Sequence, residues 1–267
     1  MANVSTDPGT LASVATCYCY NDEQWRKVMV YLLAQIAGCD AKAATHTLQE
    51  LYAAKPEDPD LVVQRINDLK AAGITVAAGT SPQGAGRLAS IASQAGVDIV
   101  VIRGTTVSAE HVSATEEPIN LKKFIHELDA PVIVGGCATY QAALHLMRTG
   151  AAGVLVGFGG GASHTTADVI GVRVPMASAI ADVAAARRDY LDESGGRYVA
   201  VIADGSMGRS GDMAKAIALG ADAVVVGSAF ARARGRASAI RQARSTSPRT
   251  SLNSGTYAGA SSVFHAR

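Results

Sequence analysis

The stretch ALGADAVVVGS, residues 218–228, decides the fold class of this chain. A helix-like segment ends in a glycine, a short apolar run rich in valine follows, and the run ends in Gly-Ser. Glycine after a helix is a common C-terminal cap, and a short continuous run of β-branched residues is typical of a buried parallel strand. The same phrase occurs at KAAGITVAAG (70–79), SQAGVDIVVIRG (93–104) and RTGAAGVLVGFG (148–159).

Two further runs, PVIVGGCAT (131–139) and RYVAVIADGS (197–206), lack the leading glycine but end in the same way. The chain therefore predicts six strands, at about 74–78, 98–102, 131–135, 153–157, 199–203 and 223–227. Amphipathic helical stretches lie between them, and this alternation indicates an α/β fold with a parallel sheet. Glycine-rich endings after nearly every strand favour a (β/α)8 TIM-type barrel, incomplete with about six strands visible, over a doubly wound sheet.

The chain divides into three parts by composition. Residues 1–60 contain helical patterns and form a helical N-terminal segment, and residues 61–228 form the barrel. Residues 229–267 contain seven Arg and no Asp, Glu or Lys, with abundant Ser, Ala and Thr. Such a segment buries too little apolar surface to fold alone, so we expect a disordered tail. A basic arm for RNA or phosphate is the alternative.

The overall composition is that of a globular protein. The 267 residues are 48% hydrophobic with a formal net charge of +1, which gives no reason to expect nucleic acid or a membrane surface as a partner. No apolar run approaches the roughly 18 residues that span a bilayer. The N-terminus lacks a signal-peptide pattern, and the four cysteines have neither disulfide-framework nor zinc spacing. A cytoplasmic location is the expectation.

Three loops at predicted strand ends contain the residue types that bind a phosphorylated sugar. They are GFGGGASHTT, residues 157–166, then Asp204-Gly205-Ser206, and Gly227-Ser228. In barrels, phosphate is often held by backbone N–H groups of the loops after the last strands. Asp204 follows its strand directly, where a carboxylate can accept hydrogen bonds from sugar hydroxyls.

The sequence resembles a known family over residues 40–228. The resemblance rests on three segments, VIVGGCAT, AGVLVGFGGGASHTT and DGSMGRSGDMAKAIALGADAVVVGS. They are similar to the IMP dehydrogenase/GMP reductase family, in particular its bacterial IMP dehydrogenase-related branch, with both ends truncated or altered. The resemblance implies NAD- or NADP-linked redox at purine C2 of IMP, XMP or GMP. It also implies a monovalent cation such as potassium and a homo-oligomer, tetrameric in the family.

The family's catalytic loop maps onto the segment after the 153–157 strand. The resemblance places the purine-attacking cysteine at His164, followed by Thr165 and Thr166, so these three are the candidate catalytic positions. The phosphate-binding serine corresponds to Ala162. Backbone carbonyls of Gly159, Gly161 and His164 would bind the cation.

The other candidate positions also follow from the resemblance. Those for ribose and phosphate are Asp204, Gly205, Ser206, Gly227, Ser228, Gly161 and Ala162. Those for the dinucleotide are Gly104, Thr105, Gly135 and Gly136.

Three interpretations stay open at this point. One is an enzyme impaired by two departures, because an imidazole is a weaker nucleophile than a thiolate and the family's catalytic flap is absent after Ser228. The second is a catalytically inactive purine mononucleotide sensor or regulatory protein. The third is a non-functional fragment. Cys137, at the end of a predicted strand, is expected to pack in the core.

Overall fold

A computed structural model describes residues 15–16, 43, 46, 50, 59–73, 75–104, 119–158, 160, 171–227 and 262–265. Its strands are β1 (Ala15–Thr16), β2 (Val76–Thr80), β3 (Ile99–Arg103), β4 (Val132–Cys137), β5 (Gly153–Val156), β6 (Ala200–Asp204), β7 (Ala223–Val226) and β8 (Ser262–His265). Its helices are α1 (Pro59–Ala71), α2 (Ala85–Ala95), α3 (Leu121–Glu127), α4 (Tyr140–Arg148), α5 (Met176–Glu193) and α6 (Ser210–Ala218). Strands and helices alternate along most of the described chain.

The sheet follows the chain order from β1 to β8 without a reversal. Strands β1 to β7 are parallel, and β8 is antiparallel to β7. Cα atoms of β1 and β8, at the two ends of this order, come within 8 Å of each other, so the sheet curls. The order excludes a doubly wound sheet and confirms an incomplete (β/α)8-type barrel.

All six predicted strands are present as β2 to β7, with starts shifted by two residues or fewer. The glycines that were expected to end helices have positive φ angles, for example +73° at Gly73 and +107° at Gly220. A non-glycine residue is strained in this conformation, so glycine sets the point where each helix turns back to the sheet.

Strands β1 and β8 were not predicted. Within 229–267, for which the composition predicts disorder, the described residues Ser262–His265 form β8 and pair with the edge of β7 that would otherwise be open. The remaining residues of 229–267 lie outside the described residues. Within 1–60, residues 43, 46, 50, 59 and 60 are helical and Ala15–Thr16 is a strand, while the rest is likewise undescribed.

The two faces of the sheet carry two separate apolar clusters. Val154 and Val156 pack against the helices, whereas Leu155 between them joins Ile202 and Val225 on the concave face. Alternate strand residues point to opposite faces, so this second cluster fills the inside of the curled sheet. The side chains at the strand ends stand above it.

Two aspartates tie neighbouring strands together at their amino-terminal ends. Asp98 N donates to Val76 O at 3.1 Å, and Asp98 Oδ2 accepts from Val76 N at 2.8 Å. Asp222 repeats the arrangement with Val201, at 2.8 Å and 2.7 Å. Both aspartates occupy the same place in the recurring phrase, AGVDIV and LGADAV, so the repeat in sequence is a repeat in hydrogen bonding.

Asp222 has two side-chain partners as well. Arg187 Nη1 donates to Asp222 Oδ2 at 2.5 Å, and the Tyr198 hydroxyl donates to Asp222 Oδ1. The Arg187 guanidinium also lies 5.0 Å from the centre of the Tyr198 ring. Burial and the hydrogen bond to Asp222 raise the pKa of Tyr198 above its ordinary value. This cluster fixes α5 to the amino-terminal end of β7.

None of the helices in the described ranges is both long and apolar enough to cross a membrane.

Candidate functional site

The carboxyl ends of β3 and β6 each carry one charged residue, and the fold brings the two together. Arg103 Nε lies 2.8 Å from Asp204 Oδ2, and Arg103 Nη2 donates to Asp204 Oδ1 at 3.1 Å. The guanidinium therefore binds both carboxylate oxygens in the two-point geometry that makes such pairs strong. The two residues are 101 positions apart in sequence and belong to strands that are not neighbours in the sheet.

Exposure differs sharply between the two partners. The Asp204 side chain is 7% exposed, whereas that of Arg103 is 40% exposed. A carboxylate removed from water needs a charged or hydrogen-bonding partner, and the guanidinium supplies it. The predicted sugar-binding carboxylate is thus present at the end of β6 and is covered by an arginine.

The loops after β5 and β6 are in direct contact. Gly160 O accepts a hydrogen bond from Ser206 N at 3.0 Å and another from Ser206 Oγ at 2.9 Å. A Cβ on Gly205, whose φ is +111°, would lie only 3.2 Å from Gly160 Cα. These bonds bring together two of the three predicted loops. Both the amide and the hydroxyl of Ser206 are thereby bonded to the same carbonyl oxygen.

Three glycines at the ends of β4 and β5 pack backbone against backbone. A Cβ on Gly136 would lie 2.1 Å from Gly157 O, and one on Gly135 would lie 2.5 Å from Leu155 Cβ. Gly104 N donates to Gly135 O at 2.8 Å, and the register of β4 against β5 shifts between Gly135 and Cys137. The space beside Gly135 and Gly136 is therefore filled by Leu155 and Gly157, and neither position has room for a side chain.

Cys137 packs in the core, as expected. It is 2% exposed, and its Sγ donates to Leu155 O at 3.4 Å. Burial raises the pKa of the thiol to about 12, so the nucleophilic thiolate is absent at neutral pH. Cys137 cannot take over the role of the cysteine that the resemblance places at position 164.

Several candidate residues lie outside the described part of the chain. They are His164, Thr165, Thr166, Gly159, Gly161, Ala162, Thr105 and Ser228. Gly227 is described and is exposed at the end of β7, and among the described residues no atom beyond its chain neighbours lies within 4 Å of the place a Cβ would occupy. Among the described residues, no group of three His, Cys, Asp or Glu side chains is placed to hold a metal ion.

Arg103 is the site residue that the sequence analysis did not assign. Its signal is a charge closing an apolar strand, IVVIR, matched by the charge that closes VIAD at 201–204. Alternation along β3 puts Arg103 on the same face as Val101, which packs against the concave-face cluster. Both charges therefore belong to the inside of the curled sheet.

Comparisons with known proteins agree with this fold. A family model described as the IMP dehydrogenase / GMP reductase domain matches residues 44–261. A crystal structure of an IMP dehydrogenase/GMP reductase-like protein from Corynebacterium glutamicum is 47% identical, with a TM-score of 0.70. The match covers 90% of this chain and 61% of that one.

Curated relatives extend the match. An uncharacterized oxidoreductase from Mycolicibacterium smegmatis is 55% identical over 205 residues, which are 74% of this chain and 54% of the relative. Inosine-5'-monophosphate dehydrogenase from Haemophilus influenzae is 42% identical over 138 residues, 52% of this chain and 26% of that enzyme. The chain spans about half the length of the first of these relatives. Because the family model matches most of its residues, this chain belongs to the IMP dehydrogenase/GMP reductase family.

Proposed function

We propose that this chain binds a purine mononucleotide, IMP, XMP or GMP, at the carboxyl ends of its strands. The reaction class we propose is the NAD- or NADP-linked redox chemistry at purine C2 of an oxidoreductase of this family, with impaired turnover. The observation that carries the proposal is Asp204, a carboxylate only 7% exposed at the end of β6. Its oxygens are suited to hydrogen bonds from the two ribose hydroxyls.

The roles within the site follow from residue chemistry. Asp204 would orient the ribose, and backbone N–H groups near Gly205 and Gly227-Ser228 would bind the phosphate. His164 stands where the family has its attacking cysteine, and we assign it a hydrogen-bonding or phosphate-facing role rather than a covalent one. A monovalent cation such as potassium would be bound by carbonyls of Gly159, Gly161 and His164.

The nicotinamide cofactor, when bound, would exchange a hydride with purine C2. Of the positions that the resemblance assigns to this cofactor, Gly104 N is bonded to Gly135 O, and Gly135 and Gly136 pack against Leu155 and Gly157. NAD and NADP are both candidates for this cofactor. Assembly into a homo-oligomer and a cytoplasmic location, as in the sequence analysis, are part of the same proposal.

A second candidate is a nucleotide-binding or regulatory protein without turnover. The observation in its favour is Cys137, whose pKa of about 12 leaves no thiolate on the described strand ends. It differs from the first candidate in one measurable respect. Both bind nucleotide, but only the first converts it.

The test is a titration of the purified protein with IMP, XMP and GMP by calorimetry. Asp204→Ala should lower the affinity ten- to hundredfold, because hydrogen bonds to a charged group contribute about 1.5–3 kcal/mol. Asp189→Ala is the matched control, since Asp189 accepts from Tyr140 on the exposed outer helices. Absence of binding to all three nucleotides would reject the proposal.

A turnover assay separates the two candidates. IMP with NAD+ or NADP+ in potassium buffer should give slow or undetectable reduced cofactor. His164→Ala should leave nucleotide affinity almost unchanged. Robust IMP-dependent turnover that His164→Ala abolishes would show that the imidazole is catalytic and would contradict the impaired assignment.

A further inference from the structure

The Arg103–Asp204 pair occupies the carboxylate that the proposed function needs for the ribose. Both oxygens of Asp204 accept from the guanidinium, one from Nε and one from Nη2. Each carboxylate oxygen has two lone pairs, and the guanidinium occupies one on each oxygen, on the side where a sugar diol would bridge the two. A sugar diol can take over these positions only when Arg103 moves away or gives up one of its bonds.

The Arg103 side chain can move away from Asp204 more readily than a fully buried side chain could. Arg103 is the last residue of β3, and its side chain is 40% exposed, so the outer part of the side chain already faces solvent. Arginine has five N–H donors, and two of them bind Asp204. The displaced guanidinium keeps its full charge, and it gains most from an anionic acceptor nearby.

An exchange of partners then decides which ligands fit. An uncharged riboside offers two hydroxyls to Asp204 but leaves Arg103 without its counter-charge. A phosphorylated riboside offers hydroxyls to the carboxylate and an anion to the guanidinium. Only the second ligand replaces both halves of the ion pair.

We propose that Arg103 is a specificity-determining residue that competes with ligand hydroxyls for Asp204 and binds the ligand's anionic group once displaced. The site therefore takes phosphorylated ribosides and discriminates against uncharged ones. This inference rests on the proposed function, because it assigns a ligand class to the same carboxylate.

The experiment compares a ligand pair that differs only in the phosphate, inosine and IMP, by calorimetry on the full chain. In Arg103→Gln, inosine should bind about tenfold more tightly, because a charge-assisted bond of about 1.5 kcal/mol no longer competes. The affinity for IMP should change much less. The variant no longer competes with the ribose hydroxyls for Asp204, but it also loses the contact with the phosphate, and the two effects offset each other. The ratio of the two affinities should fall by about tenfold.

Two further variants complete the design. Arg103→Lys keeps the cation but not the two-point geometry, so it should retain the preference for IMP while binding inosine more tightly than the unmodified protein. Arg148→Gln is the matched control, because Arg148 binds Glu193 through two nitrogens at 2.9 Å and 2.7 Å on the exposed outer helices. This control should leave both affinities unchanged.

The possible outcomes separate the two proposals. If IMP fails to bind the unmodified protein, the proposed function is wrong, and this inference with it. A second outcome is that IMP binds and Asp204→Ala lowers its affinity, but the ratio of the IMP and inosine affinities is the same in Arg103→Gln as in the unmodified protein. In that case only the inference about Arg103 is wrong. If Arg103→Gln does not fold, unchanged affinities for both ligands in Arg103→Lys overturn the inference.

Discussion

The two ends of the parallel strands use carboxylates in opposite ways. At the amino-terminal end, Asp98 and Asp222 each accept from a backbone N–H of the neighbouring strand and donate their own N–H back to it. At the carboxyl-terminal end, both Asp204 oxygens are bound by Arg103, a half-exposed side chain of a distant strand. A backbone partner cannot leave without breaking the sheet, whereas a side chain can be exchanged for a ligand. The first arrangement stabilises the sheet, and under our proposal the second can be exchanged for a ligand.

The largest expected effect is on stability, at the amino-terminal end. Asp222→Ala removes the carboxylate that accepts hydrogen bonds from Val201 N, Arg187 and the Tyr198 hydroxyl. The Arg187 side chain, which is only 15% exposed, then has no carboxylate partner at this position. We expect the free energy of unfolding in urea to fall by about 3 kcal/mol. Asp192→Ala on the exposed end of α5 is the control. A loss below about 1 kcal/mol would contradict the structural role.

The next effect separates stability from binding. Asp204→Asn keeps the shape of the side chain and one acceptor oxygen, and Arg103 can turn to solvent. The unfolding free energy should fall by only about 1 kcal/mol, while IMP affinity falls by about tenfold. Urea unfolding and calorimetry on the same samples give both numbers. A loss of unfolding free energy as large as the roughly 3 kcal/mol expected for Asp222→Ala would erase the difference between the two ends.

A gain in the free energy of unfolding is expected at position 152, where the repeated sequence before β5 has an alanine in place of the aspartate. Ala152 N donates to Val132 O at 2.8 Å, as Asp98 and Asp222 do to their partners, but the residue has no carboxylate. Ala152→Asp should let the new side chain accept from Val132 N and raise the unfolding free energy by up to about 1 kcal/mol. Ala152→Asn, with a neutral acceptor, should give less. A loss of stability in both variants would show that the register of the repeat does not carry over to β5.

The smallest effect concerns Cys137, which lies at the carboxyl end yet behaves as a packing residue. Burial raises its pKa from 9.0 to about 12, so folding favours the neutral thiol. Its contribution to stability is therefore complete below pH 9 and is lost as the pH rises from 9 toward 12. At pH 8 the native protein should resist iodoacetamide at Cys137 and react there after unfolding in urea, as read by peptide mass spectrometry. Rapid labelling of the native protein would place this thiol in the site.

Local patterns were enough to predict strands β2 to β7 but not the pairing of their side chains. Gly73 and Gly220 mark turns that the sequence shows directly, because few other residues adopt their φ angles. Arg103 and Asp204 are each visible as a charge after an apolar run, but their contact depends on how far the sheet curls. Strand β8 was missed because four residues in a Ser- and Arg-rich segment become a strand only when an open edge is available.

The glycines at 135 and 136 have a consequence for any search for functional variants. Side chains at these positions would push on Leu155 and Gly157, and Gly157 leads into the loop that contacts Ser206 through Gly160. Substitutions there would shift this loop from a distance, through the end of β5. In a screen of random mutants, such substitutions would therefore change the contact between Gly160 and Ser206 without altering either residue that makes it.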